Sequence, residues 1–320
     1  MKIFSTKKLP GFIYKNLEEK GFEVEVWVNN DEEISSENLI EKCKGVDILI
    51  SAGYTPLDGK TLKAMPSVKM ICLYSVGYDH VDLETTKALN IKVTNTPEVL
   101  SKATADIAFL LLLATSRKAF YLADTVKQGT WGSFNPTAHL GQELNNKTIG
   151  IIGLGKIGYH MAKLCQDAYG MNVIYHNRSP KPEYDKELNA EYVSLETLYQ
   201  KSDVISLHVD LNPSSYHLID AKAFEQMKSN VIIVNTSRGD VINQDDLVNA
   251  LEEKQIWGAG LDVTSPEPLP QDHPLLSYPQ VCVLPHIGSA TMETRAEMSE
   301  IIYQNIIAFS ENKPLVTPLY

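Results

Sequence analysis

The chain has 320 residues, more than one typical domain, and its 43% apolar and 22% charged content is that of a globular protein with material for two cores. A formal net charge of -11 excludes a large basic surface for nucleic acid, although a few placed arginines still suffice to hold a small anion. The greasiest run, residues 107–114, is too short to span a membrane and the amino terminus lacks a signal-peptide pattern, so a cytoplasmic protein without membrane partners is expected.

In chain order, residues 2–4, 24–28, 47–51, 69–74 and 91–94 are short Val- and Ile-rich runs bounded by turn residues, and read as strands. Helix-compatible stretches between them, such as 36–44 and 82–89, make βα units around a parallel sheet. Residues 101–120 then predict one long helix, apolar on all sides in its middle, with Ser101 as cap and Asp106 in its early turns. It belongs either in the core of one subunit or at a subunit interface. A second βα series follows, with strands at 148–152, 172–176, 203–209, 231–235, 258–263 and 281–284, and helices at 156–168 and 244–254. Residues 289–310 read as an amphipathic helix with Met298, Ile301, Ile302, Ile306 and Phe309 on its apolar side. The fold class is α/β, with doubly wound parallel sheets covered on both faces. Cys43, Cys72, Cys165 and Cys282 form no C-x-x-C pair and read as reduced core residues, with no disulfide framework and no metal site.

Gly153-Leu154-Gly155-Lys156-Ile157-Gly158 follows an apolar strand and opens a helix. In that context the first glycine permits the tight turn, the second lets a pyrophosphate approach the backbone, and the third lets helix and strand pack closely. An NAD site usually ends the next strand with an acid that binds the ribose 2′-hydroxyl, about 20 residues past the glycines. Here Asn177 holds that position and is followed by Arg178 and Ser179. Without the acid a 2′-phosphate is not repelled, and Arg178 and Ser179 supply donors, so NADP(H) is favoured, with NAD(H) still possible.

Ligands of open α/β sheets bind beyond the carboxyl ends of the strands. Arg238, Glu267 and His286 each sit just past such an end. A guanidinium grips carboxylate and carbonyl oxygens with paired donors. An imidazolium polarises a carbonyl and gives it a proton, and a neighbouring carboxylate fixes the imidazole tautomer and stabilises its charged form. His176 and His208 also end strands, and read as structural histidines ahead of crevice-lining ones.

The segments 235–240, 260–270 and 285–291 resemble the signatures of the D-isomer-specific 2-hydroxyacid dehydrogenases, and 237–247, 261–270 and 286–291 are similar to those of the glyoxylate/hydroxypyruvate reductases. The resemblance covers nearly the whole chain. It implies a Rossmann cofactor domain, residues 101–286, inserted into a flavodoxin-like substrate domain made of residues 1–100 and 287–320. It also implies reduction of a small 2-oxo acid to a 2-hydroxy acid, with His286 in acid–base catalysis, Glu267 orienting it, and Arg238 binding substrate. Ser75, Val76 and Gly77 would hold the substrate carboxylate on backbone N–H groups, with Ser289 nearby. Cofactor contacts would fall on Thr104, Leu154, Gly155, Lys156, Ile157, Asn177, Arg178, Ser179, Val209, Asp210, Pro213, Thr236, Ser237, Arg238, Asp262, His286 and Gly288. A homodimer built around the 101–120 helix is implied too.

One departure bears on substrate choice. Animal reductases of this kind carry a tryptophan, lent by the neighbouring subunit, shortly after the segment matching residues 131–136. Here that stretch continues Thr137-Ala138-His139-Leu140, and His139 reads as a surface residue. Alternatives are a D-2-hydroxyacid dehydrogenase with a larger substrate, and a dinucleotide-sensing binding protein of the same fold, which would bind cofactor without turnover.

Overall fold

The computed structural model describes residues 1–29 and 32–320. Their internal contacts divide them into two compact units, Met1–Leu100 with Ser289–Tyr320, and Ser101–Gly288.

The first unit is built on strands β1 (Lys2–Ser5), β2 (Glu23–Val26), β3 (Ile48–Ser51), β4 (Met70–Leu73) and β5 (Lys92–Thr94). All pair in parallel, in the order β2-β1-β3-β4-β5, which is the flavodoxin-like order. Inner strands β3 and β4 are buried at every residue, hence their unbroken runs ILIS and MICL, whereas edge strand β2 reads EVEV. Helix Ser36–Lys42 is capped by Ser35, whose side chain accepts from the Asn38 N–H, and helix Leu83–Ala88 by Asp82 through Thr85. Phe4, Leu39, Leu49, Leu62 and Ile71 form the core between them. The carboxy-terminal helix, Met292–Ser310, starts from Thr291 as cap and carries a fully buried Asn305. The Asn305 amide donates to Thr317 Oγ1 at 2.9 Å and accepts from the N–H of Val316 at 3.0 Å and Thr317 at 3.1 Å, so the last residues are tied to this helix. Thr317 Oγ1 in turn donates to the Asn95 carbonyl, 2.6 Å away, just past β5.

The second unit carries β6 (Thr148–Ile152), β7 (Asn172–His176), β8 (Glu191–Tyr192), β9 (Val204–Leu207), β10 (Ile232–Asn235), β11 (Gly258–Leu261) and β12 (Val281–Val283). They form one all-parallel sheet, β12-β11-β10-β9-β6-β7-β8. Strand order reverses at β6, which lies between β7 and β9, and this is the switch point where dinucleotides bind in such folds. Alternate residues feed two cores: Ile205, Ile233 and Ala259 on one face, Val204, Ile232 and Val234 on the other. The edge strand β8 was not among the expected elements, because two exposed residues carry no apolar pattern.

The long helix expected at 101–120 is two helices. Ser101–Arg117 stops at Lys118, which adopts a left-handed φ of 55°, and Ala119–Lys127 continues with no buried residue. Ser101 is itself buried and is the first helical residue, not a flanking cap. This helix packs on β10, β11, β12 and helix Lys156–Tyr169, which explains its nearly all-round apolar character.

Both sheets use the same device at their amino edges. Asp47, before β3, accepts the Lys2 N–H at 3.0 Å and the Lys69 ammonium at 2.7 Å. Asp203, before β9, accepts the Thr148 N–H at 2.9 Å and the Lys228 ammonium at 2.9 Å. All four cysteines are buried and free. Among the described residues no helix is long and apolar enough to cross a membrane.

Candidate active site

Three loops leave the carboxyl ends of adjacent strands β10, β11 and β12, and each is held to the next. After β10, buried Asn235 accepts from the Ser237 N–H at 3.0 Å and Ser237 Oγ at 2.7 Å, and donates to the Arg238 carbonyl at 2.8 Å. That cage sets the turn from which Arg238 projects, and Arg238 Nη1 donates to the Ser237 carbonyl, 2.8 Å away. Gly239 must be a glycine, since a Cβ there would lie 2.0 Å from the Thr264 carbonyl oxygen. Ser265 then donates to Asp240 at 2.6 Å, and the Gln244 amide brackets the Ser265 backbone at 2.6 and 3.0 Å. The Arg238 turn and the Glu267 loop are thereby one body.

Within that loop Glu267 Oε1 accepts the Thr264 N–H at 2.9 Å. Its other oxygen, Oε2, accepts from His286 Nδ1 at 2.9 Å. A carboxylate has no proton to give, so Nδ1 carries the hydrogen and Nε2 is the ring nitrogen left for any other partner. Glu267's side chain is 16% exposed and that of His286 is 44% exposed, so the carboxylate is shielded while the imidazole reaches solvent. His286 holds a left-handed φ of 54°, a conformation that must be fixed from outside. Asp262 does so: its buried carboxylate accepts the Ile287 N–H at 2.8 Å and the Gly288 N–H at 2.7 Å. Burial raises the Asp262 pKa despite those two donors and the nearby His286.

The other end of the same carboxyl edge carries the glycine turn. Gly153 has a φ of 97°, and a Cβ on it would meet the His208 carbonyl at 2.5 Å. A Cβ on Gly158 would strike the Gly153 carbonyl at 2.4 Å, whereas one on Gly155 would meet nothing within 4 Å. Only the middle glycine therefore faces open space, at the start of helix Lys156–Tyr169, as a pyrophosphate approaching the backbone requires. Lys156 and Ile157 open that helix, and Leu154 is buried beneath the turn. The residues present fit a dinucleotide.

Asn177 does more than vacate the acid position. Its side chain accepts the Leu154 N–H at 2.6 Å and donates to the Leu154 carbonyl at 3.3 Å, which locks β7's exit to the glycine turn. Arg178 and Ser179 are exposed beside it. After β9, Asp210 closes a compact turn through its carbonyl, which accepts from Ser215 Oγ at 2.6 Å; Val209 and Pro213 belong to the same turn. Thr236 Oγ1 lies 3.5 Å from His208 Nδ1, and Ser206 Oγ 2.8 Å from its Nε2. Desolvation pushes His208 down to about 3, so it is a neutral structural ring at physiological pH. Thr104 lies against Gly288, its Cγ2 3.2 Å from where a Cβ would sit. Apart from Thr104, which lies on helix Ser101–Arg117, these residues follow the carboxyl ends of strands in one sheet. The roles of Asn235, Asp262 and Gln244 as loop fasteners were not read from sequence, since each depends on a partner 3 to 26 positions away.

In the first unit, residues 75–77 leave β4. Ser75 Oγ donates to the Gly77 carbonyl at 2.7 Å, the Thr96 N–H to the Ser75 carbonyl at 2.9 Å, and Asn95 Nδ2 to the Val76 carbonyl at 2.9 Å. The carbonyls are spent, and among the described residues no acceptor engages the N–H of Ser75, Val76 or Gly77. Ser289 accepts through its carbonyl from Arg295 Nε at 3.2 Å.

Comparison with known proteins gives the family. Residues 109–288 match the family model for the D-isomer specific 2-hydroxyacid dehydrogenase, NAD binding domain. The glyoxylate reductase of Thermococcus litoralis is 42% identical over 317 residues, covering 98% of this chain and 94% of that protein. A crystal structure of a Thermus thermophilus protein superposes with a TM-score of 0.93 at 39% identity, covering 100% of both chains. The NADPH-dependent glyoxylate/hydroxypyruvate reductase of Sinorhizobium meliloti, solved with NADP and malonate, gives 0.87 at 30% identity over 99% of this chain and 96% of that one. With a full-length relative at this identity and a dinucleotide edge of this form, the chain belongs to the D-isomer-specific 2-hydroxyacid dehydrogenases, an NAD(P)-dependent oxidoreductase.

Proposed function

We propose that this oxidoreductase reduces small 2-oxo acids, glyoxylate and hydroxypyruvate, to glycolate and D-glycerate, with NADPH preferred over NADH. The observation that carries the reading is the 2.9 Å Glu267–His286 pair, made between the loops after β11 and β12, beside the loop after β10 that presents Arg238. The nicotinamide of a dinucleotide bound at the glycine turn would supply the hydride for the carbonyl carbon. As the carbonyl π bond breaks, His286 gives its Nε2 proton to the oxygen, and Glu267 stabilises the imidazole in its charged form and correct tautomer. Arg238 offers paired donors to the substrate's oxygens. In the unit that holds β1 to β5, the N–H groups of Ser75, Val76 and Gly77 make a nest suited to a carboxylate. In the reverse direction His286 must begin neutral, to accept the hydroxyl proton.

Cofactor preference rests on Asn177, Arg178 and Ser179: no acid repels a 2′-phosphate, and Arg178 supplies a charge-assisted donor worth about 1.5–3 kcal/mol. The relatives named above, one of them NADPH-dependent, support both halves of the reading. The unit Ser101–Gly288 is assigned the cofactor and Met1–Leu100 with Ser289–Tyr320 the substrate. A cytoplasmic homodimer assembled around helix Ser101–Arg117 is part of the proposal; Trp131 at 80% and Phe134 at 91% exposure supply apolar surface for it. Sedimentation showing a stable monomer would remove that part.

The test is initial-rate reduction of glyoxylate, hydroxypyruvate and pyruvate with NADPH and NADH in parallel. Fast NADPH-dependent turnover of the first two is expected. Tight cofactor binding without turnover of either would overturn the substrate assignment.

A further inference from the structure

The loop that follows β7, residues 177–181, is fastened at both ends by tyrosines that no motif singles out. At its start, Tyr192 Oη, on edge strand β8, donates to the Asn177 carbonyl at 3.1 Å. At its end, Tyr175 Oη accepts the Lys181 N–H at 2.7 Å and donates to Asp185 Oδ1 at 2.5 Å. Tyr175 is fully buried, and desolvation, with the Asp185 carboxylate next, pushes its phenol up to about 12, so it remains a donor. The two rings also meet edge to face, centroids 5.5 Å apart, and Tyr192 stacks on His176 at 5.9 Å.

The short helix after the loop, Pro182–Leu188, is anchored independently. Gln166 Nε2 donates to the Leu188 carbonyl at 2.6 Å, Tyr159 bonds Glu187, and Tyr159 packs on Tyr184 with centroids 4.7 Å apart. Gln166 and Tyr159 lie on the helix that begins at the glycine turn. Asn177 ties the loop's start to Leu154 in that turn. Both ends of the loop are thus referenced to the element that would carry the pyrophosphate, and only Arg178, Ser179 and Pro180 between them are exposed.

We propose that Tyr192 and Tyr175 are positioning residues for cofactor choice: their phenols hold residues 177–181 so that Arg178 and Ser179 meet the 2′-phosphate of NADPH. The inference rests on the NADPH reading above. A long guanidinium on an exposed loop gains little from a phosphate if the loop must be ordered on binding, and two fixed ends remove that cost in advance.

The experiment titrates NADPH and NADH into the wild-type protein and into Tyr192→Phe, Tyr175→Phe and Arg178→Ala, with steady-state rates for each. Each tyrosine variant is expected to shift the NADPH-to-NADH affinity ratio toward NADH by about three- to tenfold, in KM and not in kcat. On the Arg178→Ala background the same changes should shift the ratio by a smaller factor, because only Ser179 is then left to position. Tyr192 is at the surface, so its variant keeps the test open should Tyr175→Phe fold poorly. If the wild type and Arg178→Ala differ in the ratio and both tyrosine variants match the wild type, the inference is wrong and the cofactor reading stands. A loss of both cofactors by equal factors would mean general loosening and would also overturn it. A wild type that does not discriminate between NADPH and NADH would overturn the cofactor reading itself, and the inference with it.

Discussion

Glu267 bonds His286 Nδ1 with one carboxylate oxygen and the Thr264 N–H with the other, so one side chain both orients the imidazole and is itself fixed by backbone. Both functions are lost together on amidation. Glu267→Gln has one acceptor oxygen where the carboxylate has two, so an amide kept on the Thr264 N–H turns its NH2 toward His286 Nδ1 and also removes the negative charge that balances an imidazolium. We expect kcat for oxo-acid reduction to fall on the order of a hundredfold, with KM and melting temperature little changed. Steady-state kinetics with a parallel thermal melt checks this; an unchanged kcat would show that Glu267 does not assist His286.

The glycines Gly155 and Gly239 should fail in opposite ways when given a methyl group. At Gly155 the added Cβ meets no protein atom within 4 Å, so Gly155→Ala should fold normally and bind NADPH and NADH weakly. At Gly239 it would stand 2.0 Å from the Thr264 carbonyl, so Gly239→Ala should cost about 1–3 kcal/mol of stability and displace the Glu267 loop. Thermal melts and cofactor titration on the pair provide the test. Equal loss of stability in both would contradict the assignment of Gly155 to the ligand-facing side.

Asn177 offers a direct probe of cofactor choice. Asn177→Asp keeps an oxygen for the Leu154 N–H but places a charge where a 2′-phosphate would lie. The NADPH KM should rise on the order of tenfold while NADH gains a ribose acceptor. A ratio of specificity constants unmoved by the change would place the 2′ group elsewhere.

Asp203 sets an acid-stability prediction. Burial alone would raise its pKa, but the Thr148 N–H and Lys228 outweigh that and hold it below the usual carboxylate value. A carboxylate depressed in the folded state stabilises above its unfolded pKa, near about 3.9, and the contribution is lost as pH falls through the folded value. Asp203→Ala should therefore cost about 1–3 kcal/mol at pH 7, partly because the Thr148 N–H loses its acceptor. The deficit should hold down to about pH 5 and shrink below about pH 4. Denaturant melts across that range would reveal it; a gap constant to the lowest pH would refute the linkage.

The βα alternation was legible because both sheets bury their strands on two faces, which forces continuous apolar runs such as ILIS in β3 and TIGII in β6. The elements that misled lack that pressure. β8 has two exposed residues at an edge, and the break at Lys118 depends on a left-handed residue that no composition announces. Ser101 reads as a cap because serine is a favoured capping residue, yet the chain is already helical there.

At the candidate active edge, residue type and position past a strand end point to Arg238, Glu267 and His286, since parallel strands deliver their loops to one side whatever the rest of the fold does. What each of these side chains can do chemically is local to it and so is written in the sequence. The fastening is not. That Asp262 holds Ile287 and Gly288, that Gly239 admits the Thr264 carbonyl, and that Tyr175 and Tyr192 grip the loop after β7 are contacts between segments brought together by strand order. Burial patterns record how apolar each position must be, and so determine the sheets. Which polar atom meets which depends on distances of a few ångströms across neighbouring strands, and only the packed tertiary structure decides those.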